Sequence, residues 1–217
     1  MPELPLFPLH TVLYPGMPIR LNIFETRYKR MLQHALRGER TFGVVLIREG
    51  VEAYGPTPEP HQVGCQAIIR KVQPLSDGRI NLLAVGEARF HIHSLTQVEP
   101  FLKAEVETLP LSGTLPPPFE LFQAGIRNKL LAYAEKLAQL REDSFTIPAL
   151  DENPERFAYQ ACARLQLPLE ERQSLLEIRE LSVLLAALDS ILTRELALID
   201  ALIRRGPLEM TGAFGLN

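Results

Sequence analysis

An α+β protein is predicted: a β-rich first half closing into an antiparallel barrel with one helix, then a helical second half. Three observations predict it. Apolar residues alternate in twos through much of residues 1–110. A proline-rich segment interrupts the chain over 111–118, and from Phe119 onward apolar residues recur at steps of three and four. The chain has 217 residues, which fits one or two domains. It is 46% hydrophobic and 23% charged, a balance that folds rather than stays disordered.

The first element is "PIRLNIF", which alternates Ile19, Leu21 and Ile23 onto one face. It runs without Gly or Pro into "ETRYKRML", a helix expected near 25–37. There Phe24, Tyr28, Met31, Leu32 and Ala35 share one stripe, predicted to plug the open end of the barrel. Glu25 falls in the first turn, where the helix dipole favours a carboxylate, and stands four residues before Lys29. Arg27 is expected to reach back to a carboxylate or to backbone carbonyls of the barrel. "FGVVLI" (42–47) suits a strand buried on both faces. The runs 63–75 and 79–86 flank Ser76-Asp77-Gly78, a hairpin signal. Segments 88–95 and 101–109 alternate again. Six or seven strands in this order predict a closed or half-closed antiparallel barrel.

"LPLFPLHTVLYPGMPI" (4–19) carries no Asp, Glu, Lys or Arg. It is too short to span a membrane, its prolines exclude a helix interior, and Glu3 stands where a secretory signal would be basic.

Residues 111–118, "LSGTLPPP", form a stiff spacer. A helical bundle is expected over 119–217. Its first helix carries Leu121, Phe122, Ile126, Leu130, Tyr133 and Leu137 at helical spacing. Asn153 is an N-cap with Pro154 at the first helical position. "LPLEERQSLLEI" repeats the order of Pro followed by acidic residues. The last helix has a stripe of Leu181, Leu185, Leu188, Leu192, Leu196, Ile199 and Ile203, closed by Gly206-Pro207.

Charge and motifs exclude several functions. Net charge is −3, with 12 basic and 11 acidic residues through position 110, and 11 and 15 after it. Neither half has the basic excess of a nucleic-acid binder. Cys65 and Cys162 stand alone and suit reduced thiols in a cytoplasmic protein. The sequence has no Gly-Lys of a phosphate loop, no G-x-S-x-G, no H-E-x-x-H and no G-x-G-x-x-G. His91 and His93 share a strand face, but a metal needs three or four converging ligands. With Phe90 and Ile92 facing the core, both histidines face water, and no metal or cofactor is expected. Arg20, Arg27, Lys29, Arg30, Arg37 and Arg40 oppose only Glu25 and Glu39, which suits the solvated face of an amphipathic helix.

Several strings, in order, resemble the substrate-binding (N-terminal) domain family of Lon proteases. They are "LPLFPL" (4–9), "LYPGM" (13–17), "IFETRY" (23–28) with "ML" (31–32), "FGVVL" (42–46), "VG" (63–64), "DGR" (77–79) and "GEARF" (86–90). "LPLEERQSLLE" (167–177) is similar to the family's helical signature, and Thr26 stands where Pro is common. The resemblance implies a PUA-like pseudo-barrel followed by a helical subdomain ending in a long helix. It also implies a stand-alone recognition part without the ATPase and protease modules, unable by itself to hydrolyse ATP or cut peptide bonds. The expected function is non-catalytic recognition of unfolded or exposed polypeptide segments in protein quality control, with a protease or another protein as a possible partner. An open strand edge or an aromatic groove between barrel and bundle would take the peptide. Candidate residues are Tyr14, Phe24, Arg27, Tyr28, Met31 and Phe42, and large apolar residues of this kind are more often core. The alternatives are RNA binding on a PUA-like barrel, an adaptor or self-assembling role, and, last, a small-molecule hydrolase.

Overall fold

The computed structural model describes residues 2–52, 55, 57–113, 119–141 and 149–205. It contains six strands and five helices: β1 (Glu3–Leu9), β2 (Pro18–Ile23), α1 (Thr26–Arg37), β3 (Thr41–Glu49), β4 (Glu59–Pro74), β5 (Ile80–Gln97), β6 (Lys103–Thr108), α2 (Phe119–Arg141), α3 (Pro154–Arg164), α4 (Leu169–Glu177) and α5 (Leu181–Arg205). The chain divides into two compact units, 1–115 with 150–184, and 116–149 with 185–217. Helices α3 and α4, expected within one helical domain over 119–217, fall in the unit that holds the strands. Most of the proline-rich segment (114–118) and Gly206-Pro207 lie outside the described residues.

In the first unit the strands form one sheet in the order β2-β5-β4-β3-β1-β6, and β6 also pairs with β5. β1, β3, β4, β5 and β6 therefore make a closed ring, with β2 attached outside it along β5. The sheet is mixed, which corrects the antiparallel expectation: β1 runs parallel to β3, from Leu6 opposite Gly43 to Leu9 opposite Leu46. Parallel neighbours need a long crossover, and β2 with α1 supplies it.

β1 was not among the expected strands, and its Pro5 and Pro8 lack the N–H of a strand interior. The strand tolerates them by changing neighbours. Glu3–Pro5 pair with β6, and Leu6–Leu9 pair with β3. The Leu6 N–H donates to the Leu102 carbonyl (2.8 Å), so the nitrogen of Pro8, two residues on, faces the side where β6 is no longer paired.

The Asp77-Gly78 hairpin forms between β4 and β5. Gly78 has φ +79°, and Asp77 accepts a hydrogen bond from the Arg79 N–H (3.0 Å). Residues 80–97, expected as two strands, are one long strand with irregular register near Ala88 and Ser94.

Among the described residues, two apolar clusters lie among the strands and α1 of this unit. One gathers Phe7, Leu9, Ile23, Phe42, Val44, Ala67, Ile69, Leu82 and Ala84 under Tyr28, Met31, Leu32 and Ala35 of α1. The helix stripe thus packs into the core from Tyr28 onward. The other cluster joins Leu4, Leu6, Val45, Phe90, Ile92, Leu102, Ala104 and Val106. Glycine is required where the strands cross closely. A Cβ at Gly64 would sit 2.5 Å from the Val44 carbonyl oxygen and 2.7 Å from Phe90 Cζ.

α3 opens as expected, with Asn153 Oδ1 accepting from the Arg156 N–H and Pro154 in the first turn. In the second unit, α2 and the greater part of α5 run parallel. Lys129 pairs with Asp189 (2.7 Å), and Lys136, two turns on, pairs with Asp200. Ile126, Leu130 and Tyr133 on α2 and Leu185, Leu188, Leu192 and Ile199 on α5 are buried, whereas Leu121 and Phe122 of the expected stripe are exposed. No described helix is long and apolar enough to cross a membrane.

Candidate functional site

β2 owes its position to its alternation. Leu21 and Ile19 lean on the core and Ile23 is buried in it, while Pro18, Arg20 and Asn22 are exposed. Among the described residues the strand pairs on one side only, Pro18 opposite Val85 through Ile23 opposite Ile80. The Gly86 N–H donates to the Met17 carbonyl (2.9 Å), which sets the phase of the ladder. In an antiparallel pair such residues alternate, so Ile19, Leu21 and Ile23 turn their backbone groups to β5. The N–H and C=O of Arg20 and Asn22 point away from the sheet.

Beyond that free edge lies a cavity of about 230 Å³, lined by Phe7, Leu9, Leu21, Phe24, Tyr28 and Glu52 among others. Phe24 is 40% exposed, whereas Phe7 and Tyr28 are each only 5%, so the cavity has one open aromatic and two enclosed ones. The Tyr28 ring lies 4.1 Å from that of Phe7, and burial pushes its hydroxyl up to about 12.

The turn into α1 is held by Arg27. Its Nε pairs with Glu25 Oε2 (3.0 Å), and its guanidinium donates to the carbonyls of Glu52 (3.2 Å) and Gly55 (3.5 Å). It also lies 4.7 Å from the Tyr28 ring centroid. Glu25 is the N-cap residue rather than part of the first turn, and its side chain makes no capping hydrogen bond.

The solvent face of β2, β5 and β4 carries two in-register rows. Arg20 stands opposite Leu83 and Leu83 opposite Lys71; Asn22 stands opposite Asn81 and Asn81 opposite Gln73. The Asn22 amide donates to the Asn81 side chain (2.8 Å). Over these rows lies a groove of about 460 Å³, and no carboxylate lines it among the described residues. Arg20 and Lys71 are exposed and form no ion pair among the described residues.

The six sequence candidates separate. Phe24 and Tyr28 line the cavity beside β2, and Arg27 lies against the Tyr28 ring and Glu25 without lining it. Met31 and Phe42 are fully enclosed in the core at 0% exposure. Tyr14, also enclosed, fastens the strands to α3 and α4. Its hydroxyl donates to the Arg172 carbonyl (2.8 Å), its ring stacks on Tyr159 (6.4 Å), and Arg172 donates to the Val12 carbonyl (3.2 Å). Arg89 belongs to the same fastening, donating to the Leu176 carbonyl (2.6 Å) and the Ile178 carbonyl. Burial lowers its pKa. Sequence reasoning missed the cross-strand row of Arg20, Leu83 and Lys71. The alternation of 18–23 held half the signal, but the pairing partners are far along the chain.

A second cavity of about 510 Å³, lined by Glu87, Asp151, Asn153, Glu155, Arg156 and Tyr159, is polar. Asp151 there is occupied by the Asn153 N–H (2.9 Å) and Arg156 (3.5 Å). Phe90 and Ile92 are buried, His91 is half-buried and His93 exposed.

The family model of the ATP-dependent protease La (LON) substrate-binding domain matches residues 3–194. The chain belongs to the Lon substrate-binding domain family. Among relatives, Lon protease 2 of Syntrophobacter fumaroxidans is 26% identical over 202 residues, covering 92% of this chain and 25% of the relative. Lon protease of Dictyoglomus thermophilum is 27% identical over 203 residues, with 92% and 25% covered. The chain thus spans about a quarter of the length of these Lon proteases. A solved Lon N-terminal domain protein from Xanthomonas campestris is 27% identical, with TM-score 0.63, covering 87% of this chain and 97% of that one. The N-terminal domain of Mycobacterium avium complex Lon protease superposes with the same TM-score at 18% identity and 88% and 98% coverage, and it shows the shared Lon-type fold alone.

Proposed function

We propose that this chain is a recognition module that binds exposed segments of client or partner proteins and carries out no covalent chemistry itself. Membership of a substrate-binding domain family supports the class of function. The observation that carries the location is the cavity beside β2, where Phe24 is open to solvent next to a free strand edge. An apolar side chain of a client has about 230 Å³ to enter, walled by Phe7, Leu9, Leu21 and Tyr28. Apolar walls with a few polar groups at the mouth are the usual make-up of such a site.

The thiols support a non-catalytic reading. Cys65 and Cys162 are buried, and burial raises both to about 12, so neither is a ready nucleophile. Two free cysteines also suit a reducing cytoplasm. The module would act in protein quality control, holding a client for a protease or another partner protein.

The test is a fluorescence anisotropy titration of a labelled, reduced and carboxymethylated unfolded polypeptide with this chain. Saturable binding is expected with Kd at or below about 100 μM, or roughly 5.5 kcal/mol of affinity. A linear, non-saturating signal through that range defeats the proposal. Phe24→Ala is expected to weaken the binding.

A further inference from the structure

We propose that β2 accepts a client segment as an added β-strand, and that the segment it prefers alternates apolar and acidic residues. This rests on the recognition reading above and specifies its mode and its ligand chemistry.

The backbone comes first. β2 lies outside the closed ring of strands, and its outer side pairs with nothing among the described residues. The phase set by Met17 and Gly86 leaves the N–H and C=O of Arg20 and Asn22 on that side. Two residues with outward donors and acceptors provide up to four hydrogen bonds to an extended peptide. Their spacing of two residues is the repeat of a strand.

The two sides of the edge differ. A strand laid along β2 alternates its side chains between the two faces of the sheet. On the inner face it meets the cavity walled by Leu21, Phe24 and Tyr28. On the solvent face it extends the row of Arg20, Leu83 and Lys71, whose groove contains two cations and, among the described residues, no carboxylate. A residue directly opposite Arg20 shares Arg20's face, so an acidic residue there meets an unpaired guanidinium. Its neighbours on either side are the ones that enter the cavity. Charge complementarity therefore chooses an acidic segment, and the cavity chooses apolar residues between the acids.

The experiment uses the full chain and four fluorescein-labelled, end-blocked peptides of eight residues. The first alternates valine and aspartate, and the second replaces aspartate with lysine. The third and fourth are the first peptide with its backbone N-methylated at every aspartate or at every valine. Half of a strand's N–H groups face its neighbour, so methylation on one set removes the bonds and on the other leaves them. The aspartate peptide is expected to bind saturably, and the lysine peptide at least about tenfold more weakly. One methylated peptide loses about tenfold or more while the other keeps its affinity. Loss with methylated aspartate reports an antiparallel added strand, and loss with methylated valine a parallel one. Arg20→Glu with Lys71→Glu, both at exposed positions, weakens the aspartate peptide about tenfold without lowering the melting temperature.

Equal affinity of the two methylated peptides, or of the aspartate and lysine peptides, overturns the proposal. So does displacement of the peptide by a short single-stranded RNA at equal concentration, which assigns the basic row to nucleic acid instead. If the unfolded polypeptide binds but the Arg20→Glu/Lys71→Glu variant holds it unchanged, the acidic preference is wrong while the recognition reading stands. If neither polypeptide nor peptide binds, both fall.

Discussion

Arg27→Ala separates a structural role from a binding one at the start of α1. The side chain is 18% exposed, and its carboxylate partner Glu25 is 15% exposed. Truncation removes the Glu25 pair, the 3.2 Å bond to the Glu52 carbonyl, the marginal 3.5 Å bond to the Gly55 carbonyl and the contact with the Tyr28 ring. A hydrogen bond from a charged group contributes about 1.5–3 kcal/mol, and a partly exposed ion pair adds about 0–1. Water replaces part of both in the variant, so a loss of about 2 kcal/mol is expected. For a protein of this size that lowers the melting temperature by about 4–8 °C. Arg27→Lys keeps the charge without the planar fork and should fall between. Thermal unfolding followed by circular dichroism measures the effect, with the polypeptide titration run on the same samples. An unchanged melting temperature together with lost binding would refute the reasoning and make Arg27 a contact residue.

Other outcomes follow from burial and charge. Phe42→Ala, at 0% exposure, should cost about 3–5 kcal/mol in urea unfolding, whereas Phe24→Ala, at 40%, should cost about 1 kcal/mol or less and show its effect in client affinity. Burial raises Cys65, Cys162 and Tyr28 to about 12 from ordinary values of 9.0, 9.0 and 10.0, so the unfolded chain ionises first. Stability from these groups is complete below about pH 9 and falls as pH rises toward about 12, and a urea midpoint that stays flat from pH 8 to 11 would contradict this. At pH 8 both thiols should react with an aromatic disulfide reagent only as fast as the chain unfolds. Arg20→Val removes the charge from the free edge and should raise light scattering with concentration above that of the unchanged chain; equal scattering would mean the edge is already covered.

Much of the strand-bearing unit was legible because its signals are local. Ser76-Asp77-Gly78 sets a hairpin whatever surrounds it, and the spacing of Tyr28, Met31, Leu32 and Ala35 can be satisfied only by a helix with that side inward. β1 was hidden because Pro5 and Pro8 argue against a strand interior, and only the change of partner at Leu6 makes room for them. The parallel pairing of β1 with β3 was hidden for a related reason, since alternation gives a strand its faces but not its direction. Of the aromatic candidates, Phe24 and Phe42 have the same chemistry in the sequence. The chain path alone makes one a rim residue and the other core. Lys71 joins Arg20 through Leu83, over separations of 63 and 12 positions, and no periodicity connects them.

A free strand edge ordinarily invites another copy of the same edge. β2 limits that hazard by its own composition. It is six residues long, Pro18 has no N–H to offer, and only Arg20 and Asn22 present complete outward backbone groups. Antiparallel pairing of two β2 edges centred on Arg20 would set the two guanidiniums opposite each other. Centred on Leu21 it would leave them on the diagonal, about 7–8 Å apart. Lys71 adds to the repulsion in either register. A strand with carboxylates at those positions reverses the sign of the interaction without changing its geometry. The charges that keep β2 from pairing with itself are therefore the same charges that leave it available to an acidic client.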